Sequence, residues 1–109
     1  MEMFKVIFPS GYIVSNINND NIDVCVALQN GNVYAATFFT ILNIQMLMKS
    51  KVYYWAADMV IVKDLRRETI KEAVLKIILD ENLDYCFLKI GTIETIYSKK
   101  SFDELLAGC

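Results

Sequence analysis

The stretch IDVCVALQ-NG-NVYAATFF, Ile22 to Phe39, decides the fold. In its first half Val24, Val26 and Leu28 alternate with Asp23, Cys25, Ala27 and Gln29, the period-two pattern of a half-buried strand. A second strand pattern fills residues 32–39. Asn30-Gly31 between two such patterns is a hairpin signal, because a type I′ turn needs positive φ at both central residues. The two strands are therefore expected to be antiparallel neighbours joined by that turn.

Upstream, MFKVIF (3–8) reads as a strand with Phe4, Val6 and Phe8 on one face. PSG (9–11) turns the chain, and YIVS (12–15) returns as a short second strand. NINNDN (16–21) is polar and rich in turn formers, hence a loop. Downstream, Thr40 can cap a helix over 41–49 with Ile41, Ile44, Leu47 and Met48 inward.

VYYWAADMVIVK (52–63) is the longest strand candidate. Tyr53, Trp55, Ala57, Met59 and Ile61 share one face; Tyr54, Ala56, Asp58, Val60 and Val62 share the other. Both are largely apolar, which predicts a central strand covered on both sides for part of its length. Asp64 is placed to cap a helix over 65–80, where Ile70, Ala73, Val74, Ile77 and Ile78 recur at helical spacing and Asn82 is the stop. DYCFLKI (84–90) is the last strand, broken by Gly91. SFDE (101–104) is a capping box that starts a short helix through Ala107. The expected architecture is one α+β domain over 1–109, in the order ββββ-α-β-α-β-α. It has a mostly antiparallel sheet of about five to six strands with helices packed on one side.

Composition narrows the chemistry. The 109 residues are 55% apolar, with one proline and four glycines, so long linkers are not expected. No apolar run reaches the ~18 residues of a membrane span. The N-terminal MEMFKVIFPSGY lacks the pattern of a secretory leader, which points to the cytoplasm. A net charge of −2 opposes general nucleic-acid binding. Without histidine there is no Ser-His or Cys-His pair and no His-containing zinc site. The isolated glycines 11, 31, 91 and 108 make no phosphate loop. Cys25, Cys86 and Cys109 are too scattered for a disulfide framework or a four-thiolate site. No enzyme activity and no cofactor are expected.

Three features stand out against this background. The helix at 65–80 carries Arg66 and Arg67 near its positive end, with Asp80, Glu81 and then Asp84 near its negative end. Asp58 stands between Ala56 and Val60 on an apolar strand face, beside Tyr54. The loop with Asp20, followed by Asp23, can display polar contacts. Asp58, Asp80, Glu81, Asp84, Tyr54, Asp20 and Asp23 are therefore the candidate partner-binding residues, and no metal ligand is proposed.

DVCVALQNGNVYAATFFTILNIQMLMKS followed by YYWAADMVIVKDLRRETI resembles small immunity proteins of bacterial polymorphic-toxin and contact-dependent growth inhibition systems. The likeness lies in the N-G hairpin, in TFFT leading into a helix, and in WAADMVIVKDL feeding the next helix, over roughly residues 20–80. It implies a cytoplasmic, non-enzymatic protein that binds a cognate toxin domain, often a nuclease, and blocks its active site or substrate groove. It carries over no binding residues. The acidic chain suits such a role, since carboxylates would pair with a basic nuclease groove. The alternative is a structural or regulatory module that self-associates as a homo-oligomer through an exposed strand edge.

Overall fold

In the computed structural model, which describes residues 3–9 and 16–107, the central stretch forms the two longest strands. These are β2 (Asn21–Leu28) and β3 (Asn32–Thr40), paired antiparallel from Asn21–Phe39 to Ala27–Val33. Their turn differs from the expected one. The loop has three residues, Gln29 to Gly31, and the Gly31 amide donates to the Leu28 carbonyl at 2.9 Å. Of Asn30 and Gly31 only the glycine takes positive φ, +97°. This is the three-residue loop that ends in a glycine bulge, in place of the two-residue type I′ form.

β1 (Phe4–Ile7) pairs antiparallel with β2. The strand expected at 12–15 lies outside the described residues. The far edge of β3 is shared by two strands. β4 (Met59–Val62) runs parallel to it over Thr37–Thr40, and β5 (Leu88–Thr92) antiparallel over Asn32–Ala35. Ile90 has no register partner, because pairing shifts between Val33 and Tyr34. The result is an α+β fold with a five-stranded, mixed, mostly antiparallel sheet.

Sharing that edge corrects the largest expectation. The strand read over 52–63 is only four residues long and, among the described residues, lies outermost on its side of β3. Because β5 takes Asn32–Ala35, only the end of β3 remains for β4 to pair with. Residues 51–58 form no strand, and the register breaks off at Asp58, held at φ +55°. The segment read as a strand over 84–90 also divides. Leu83–Cys86 is one helical turn, α3, numbered after α1 (Ile41–Leu47) and α2 (Arg67–Leu79), and β5 begins at Leu88. Gly91 lies inside β5, which runs directly into α4 (Ile93–Tyr97), and α5 (Phe102–Ala107) follows.

The alternation read from the sequence builds the main core. Val24, Val26 and Leu28 of β2 and Ala36 and Phe38 of β3 pack beneath Ile70 and Val74 of α2, with Phe87 edge-on to Phe38 at 5.8 Å. Each Val, Leu, Ile or Phe side chain buried here contributes about 1.5–3 kcal/mol. The opposite face is covered as well, at one end. There Ala27 and Val33 meet Ile93 of α4 and Phe102 and Leu105 of α5. Helices thus lie on both sides of the sheet, because consecutive strand residues point to opposite faces and both rows are apolar at that end. Among the described residues no helix is long and apolar enough to cross a membrane.

Candidate functional site

Beyond α4 and α5, the second sheet face is bordered by the end of β3 and by the segment that leaves α1. Thr40 caps α1 as expected: its hydroxyl accepts from the Asn43 amide at 3.2 Å. The helix does not bury the expected stripe. Ile44, Leu47 and Met48 are half-buried, but Ile41 is exposed, as are Leu42 and Met46. The buried position is Asn43. Its carbonyl oxygen accepts from Asn21 Nδ2 at 2.9 Å, and its Nδ2 donates to Asn19 Oδ1 at 3.5 Å. The asparagines of the 16–21 loop therefore anchor α1 through amides, and Ile41 and Leu42 on its other face point to water.

The chain then turns through Met48–Lys51 into an aromatic segment. Val52 is 96% exposed, Tyr53 70% and Trp55 69%. Tyr54 faces inward, edge-on to Phe39 at 5.8 Å, with the Lys51 ammonium 5.5 Å from its ring centre. Lys51 and the four residues after it line an open depression of about 480 Å³. Tyr54 is thus the anchor of the segment, while Tyr53 and Trp55 are presented outward.

Three of the candidate carboxylates lie along the neighbouring part of β3. Asp23, opposite Thr37 in the register, accepts from the Thr37 hydroxyl at 2.6 Å. The carbonyl of Asp58 accepts from the Thr37 amide at 3.0 Å. Asp23, Ala35, Thr37 and Asp58 line an open cleft of about 220 Å³ where β4 and β5 meet along β3. Asp20 is tied to the α1 cap: its amide donates to the Thr40 hydroxyl at 3.3 Å and its carboxylate accepts from the Asn21 amide at 2.8 Å.

Asp80, Glu81 and Asp84 do not join this group. They are exposed at the end of α2 and in α3, elements that pack on the other sheet face. The seven residues read from the sequence therefore form two separate sets.

The reversed charges of α2 also have local causes. The Arg67 guanidinium stacks over the Phe8 ring at 4.5 Å, so it covers an aromatic flank of the core. Asp64 lies two residues before the Arg66 cap position and accepts from the Arg66 amide at 3.0 Å. Hydrogen bonds from Thr69 and from that amide hold its carboxyl below the ordinary range. On the second face, burial pushes the Tyr97 hydroxyl up, reinforced by the neighbouring Cys25 thiol.

Sequence reasoning placed Tyr53 and Trp55 on a covered strand and Ile41 in the core, and so missed the exposed apolar surface. The sequence carries no separate signal for it, since a 52–57 segment apolar on both faces has the pattern of a covered strand. No protein-family model matches the chain, and neither does a curated protein or a solved structure.

Proposed function

We propose that the chain is a non-enzymatic protein-binding domain. In the form its pattern likeness implies, it is a cytoplasmic immunity protein that neutralises a cognate bacterial toxin domain, a nuclease, by covering its active site or substrate groove. One observation carries the reading: Val52, Tyr53 and Trp55 stand exposed in succession while Tyr54 pins the segment to Phe39. Held aromatic side chains are the residue type that dominates binding energy at protein interfaces. Asp20, Asp23 and Asp58 along β3 supply carboxylates for the rim of a basic partner. This set is preferred to Asp80, Glu81 and Asp84, which lie on the far side of the sheet.

The test is binding to the variable C-terminal domain of a secreted protein encoded beside this chain. Tyr53→Ala with Trp55→Ala should weaken binding by about 100-fold or more, with an unchanged unfolding midpoint. Joint charge reversal at Asp20, Asp23 and Asp58 should slow association and reduce its salt dependence. Unchanged affinity in the aromatic double variant refutes the surface. A toxin domain that keeps full activity with the chain in stoichiometric excess refutes the function. A second reading follows from β4, which pairs only with β3 among the described residues and exposes Ile61. Self-association through that edge would appear as concentration-dependent sedimentation, abolished by Ile61→Lys.

A further inference from the structure

We propose that Asn30-Gly31 is a self-modification site whose reaction is gated by folding: the native hairpin suppresses deamidation that the open chain undergoes. Asn30 is the only asparagine in the chain followed by glycine, the neighbour that least obstructs ring closure. It is exposed at the tip of the β2–β3 loop, so water reaches it.

The reaction begins when solvent hydroxide removes the Gly31 amide proton. The Gly31 nitrogen then attacks Asn30 Cγ. A Cγ–N bond forms, the Cγ–Nδ2 bond breaks, and ammonia leaves with a proton from water, giving a five-membered imide. Water reopens the ring at either carbonyl. One opening yields aspartate; the other yields isoaspartate, with one extra methylene in the main chain. The net change is addition of water and loss of ammonia.

The folded loop opposes both halves of the first step. The proton that must leave is the one Gly31 donates to the Leu28 carbonyl at 2.9 Å. The side chain that must be attacked is held in a hydrogen bond of its own, its Oδ1 accepting from the Asn32 amide at 2.9 Å. Two further bonds fix the loop on its supports, from the Gln29 amide to the Met3 carbonyl and from the Ile93 amide to the Gly31 carbonyl. Hydrogen exchange at Gly31 and imide formation therefore require the same opening. A chain that has spent time unfolded is marked at the turn of its central hairpin, where isoaspartate lengthens the connection between its two longest strands.

The experiment incubates the full chain at mildly alkaline pH, folded in buffer and unfolded in urea. Mass spectrometry with peptide mapping measures conversion at Asn30, and amide exchange at Gly31 is followed in parallel in the folded sample. Conversion should be at least about tenfold slower in the folded chain. Across sub-denaturing urea concentrations it should rise in proportion to Gly31 exchange. Equal rates in both states overturn the proposal, as does conversion in folded chain whose Gly31 amide stays protected. Absence of product at Asn30 in urea overturns it too.

Discussion

Replacing Glu81 by glycine should stabilise the protein, although Glu81 is one of the residues first singled out for binding. It follows α2 in the left-handed conformation, at φ +59°. The Asn82 amide donates to the Ile77 carbonyl and the Glu81 amide to the Ile78 carbonyl, at 2.9 and 3.0 Å. That pair of bonds is the Schellman termination, whose left-handed position is ordinarily glycine. An L side chain there costs roughly 1–2 kcal/mol. The added freedom of glycine in the unfolded chain returns about 0.4–1 kcal/mol of that. Glu81→Gly should therefore gain about 0.5–1 kcal/mol. With a urea slope near ~1.5 kcal/mol/M, the midpoint rises by about 0.3–0.7 M. Glu81→Gln is the control that removes charge and keeps the backbone strain, and it should stay within about 0.5 kcal/mol of the parent. If Gln reproduces the full gain of Gly, relief from charge at the helix end is the cause and the backbone argument fails.

Gly91→Ala should destabilise by about 1–3 kcal/mol in chemical denaturation, since its Cβ would stand 2.8 Å from Thr95 Oγ1 and 3.1 Å from Ile96 Cδ1. A midpoint at or above the parent value would show that α4 shifts freely against β5. Asn43→Ala should cost about 1–3 kcal/mol, because it strips partners from the Asn19 and Asn21 amides beneath α1; an unchanged melting temperature would refute the amide anchor. Asp64→Asn should alter the acid limb of stability. The folded carboxyl titrates below its unfolded value, so its contribution is complete above about pH 4 and is lost as pH falls through the lowered value. The variant should lack that loss, and a parallel acid-unfolding curve would argue against the hydrogen bonds from Thr69 and the Arg66 amide.

Much of the fold was legible because local rules and long-range pairing agreed. The alternation over Ile22–Phe39, the Thr40 cap and the apolar spacing of Ile70 to Ile78 each name an element that forms. The Ser101–Glu104 cap is only half as read: Ser101 accepts from the Glu104 amide, but the Glu104 carboxylate takes the Lys100 amide. Misreadings arose where a distant segment decided the outcome. The turn at Asn30-Gly31 has three residues because the β2–β3 register pairs Ala27 with Val33, a fact absent from the dipeptide. The 52–63 strand was shortened by β5, some thirty residues later in the chain, which takes the first half of the shared edge. Asp23 and Asp58 meet around Thr37 through sheet register and a parallel crossover, so no sequence spacing could have linked them.

The exposed surface follows from two inward-facing residues, the first of them polar. A helical wheel for 41–49 places its apolar side chains inward by default, since water is the usual partner of an asparagine. Here Asn19 and Asn21 give Asn43 a complementary set of amide groups, and a buried amide that keeps its hydrogen bonds no longer bears the cost of burial. Once Asn43 faces the sheet, helix geometry turns Ile41 and Leu42 toward solvent, while Met46, on the same side as Asn43, lies beside Asn19 with its sulfur 3.9 Å from the Asn19 side-chain amide nitrogen. Tyr54 turns the following segment the same way by taking the inward position on Phe39, which leaves Tyr53 and Trp55 outside. The apolar surface is therefore built by two inward anchors, Asn43 and Tyr54. Weakening either should loosen the surface before it unfolds the sheet, because neither belongs to the core beneath α2.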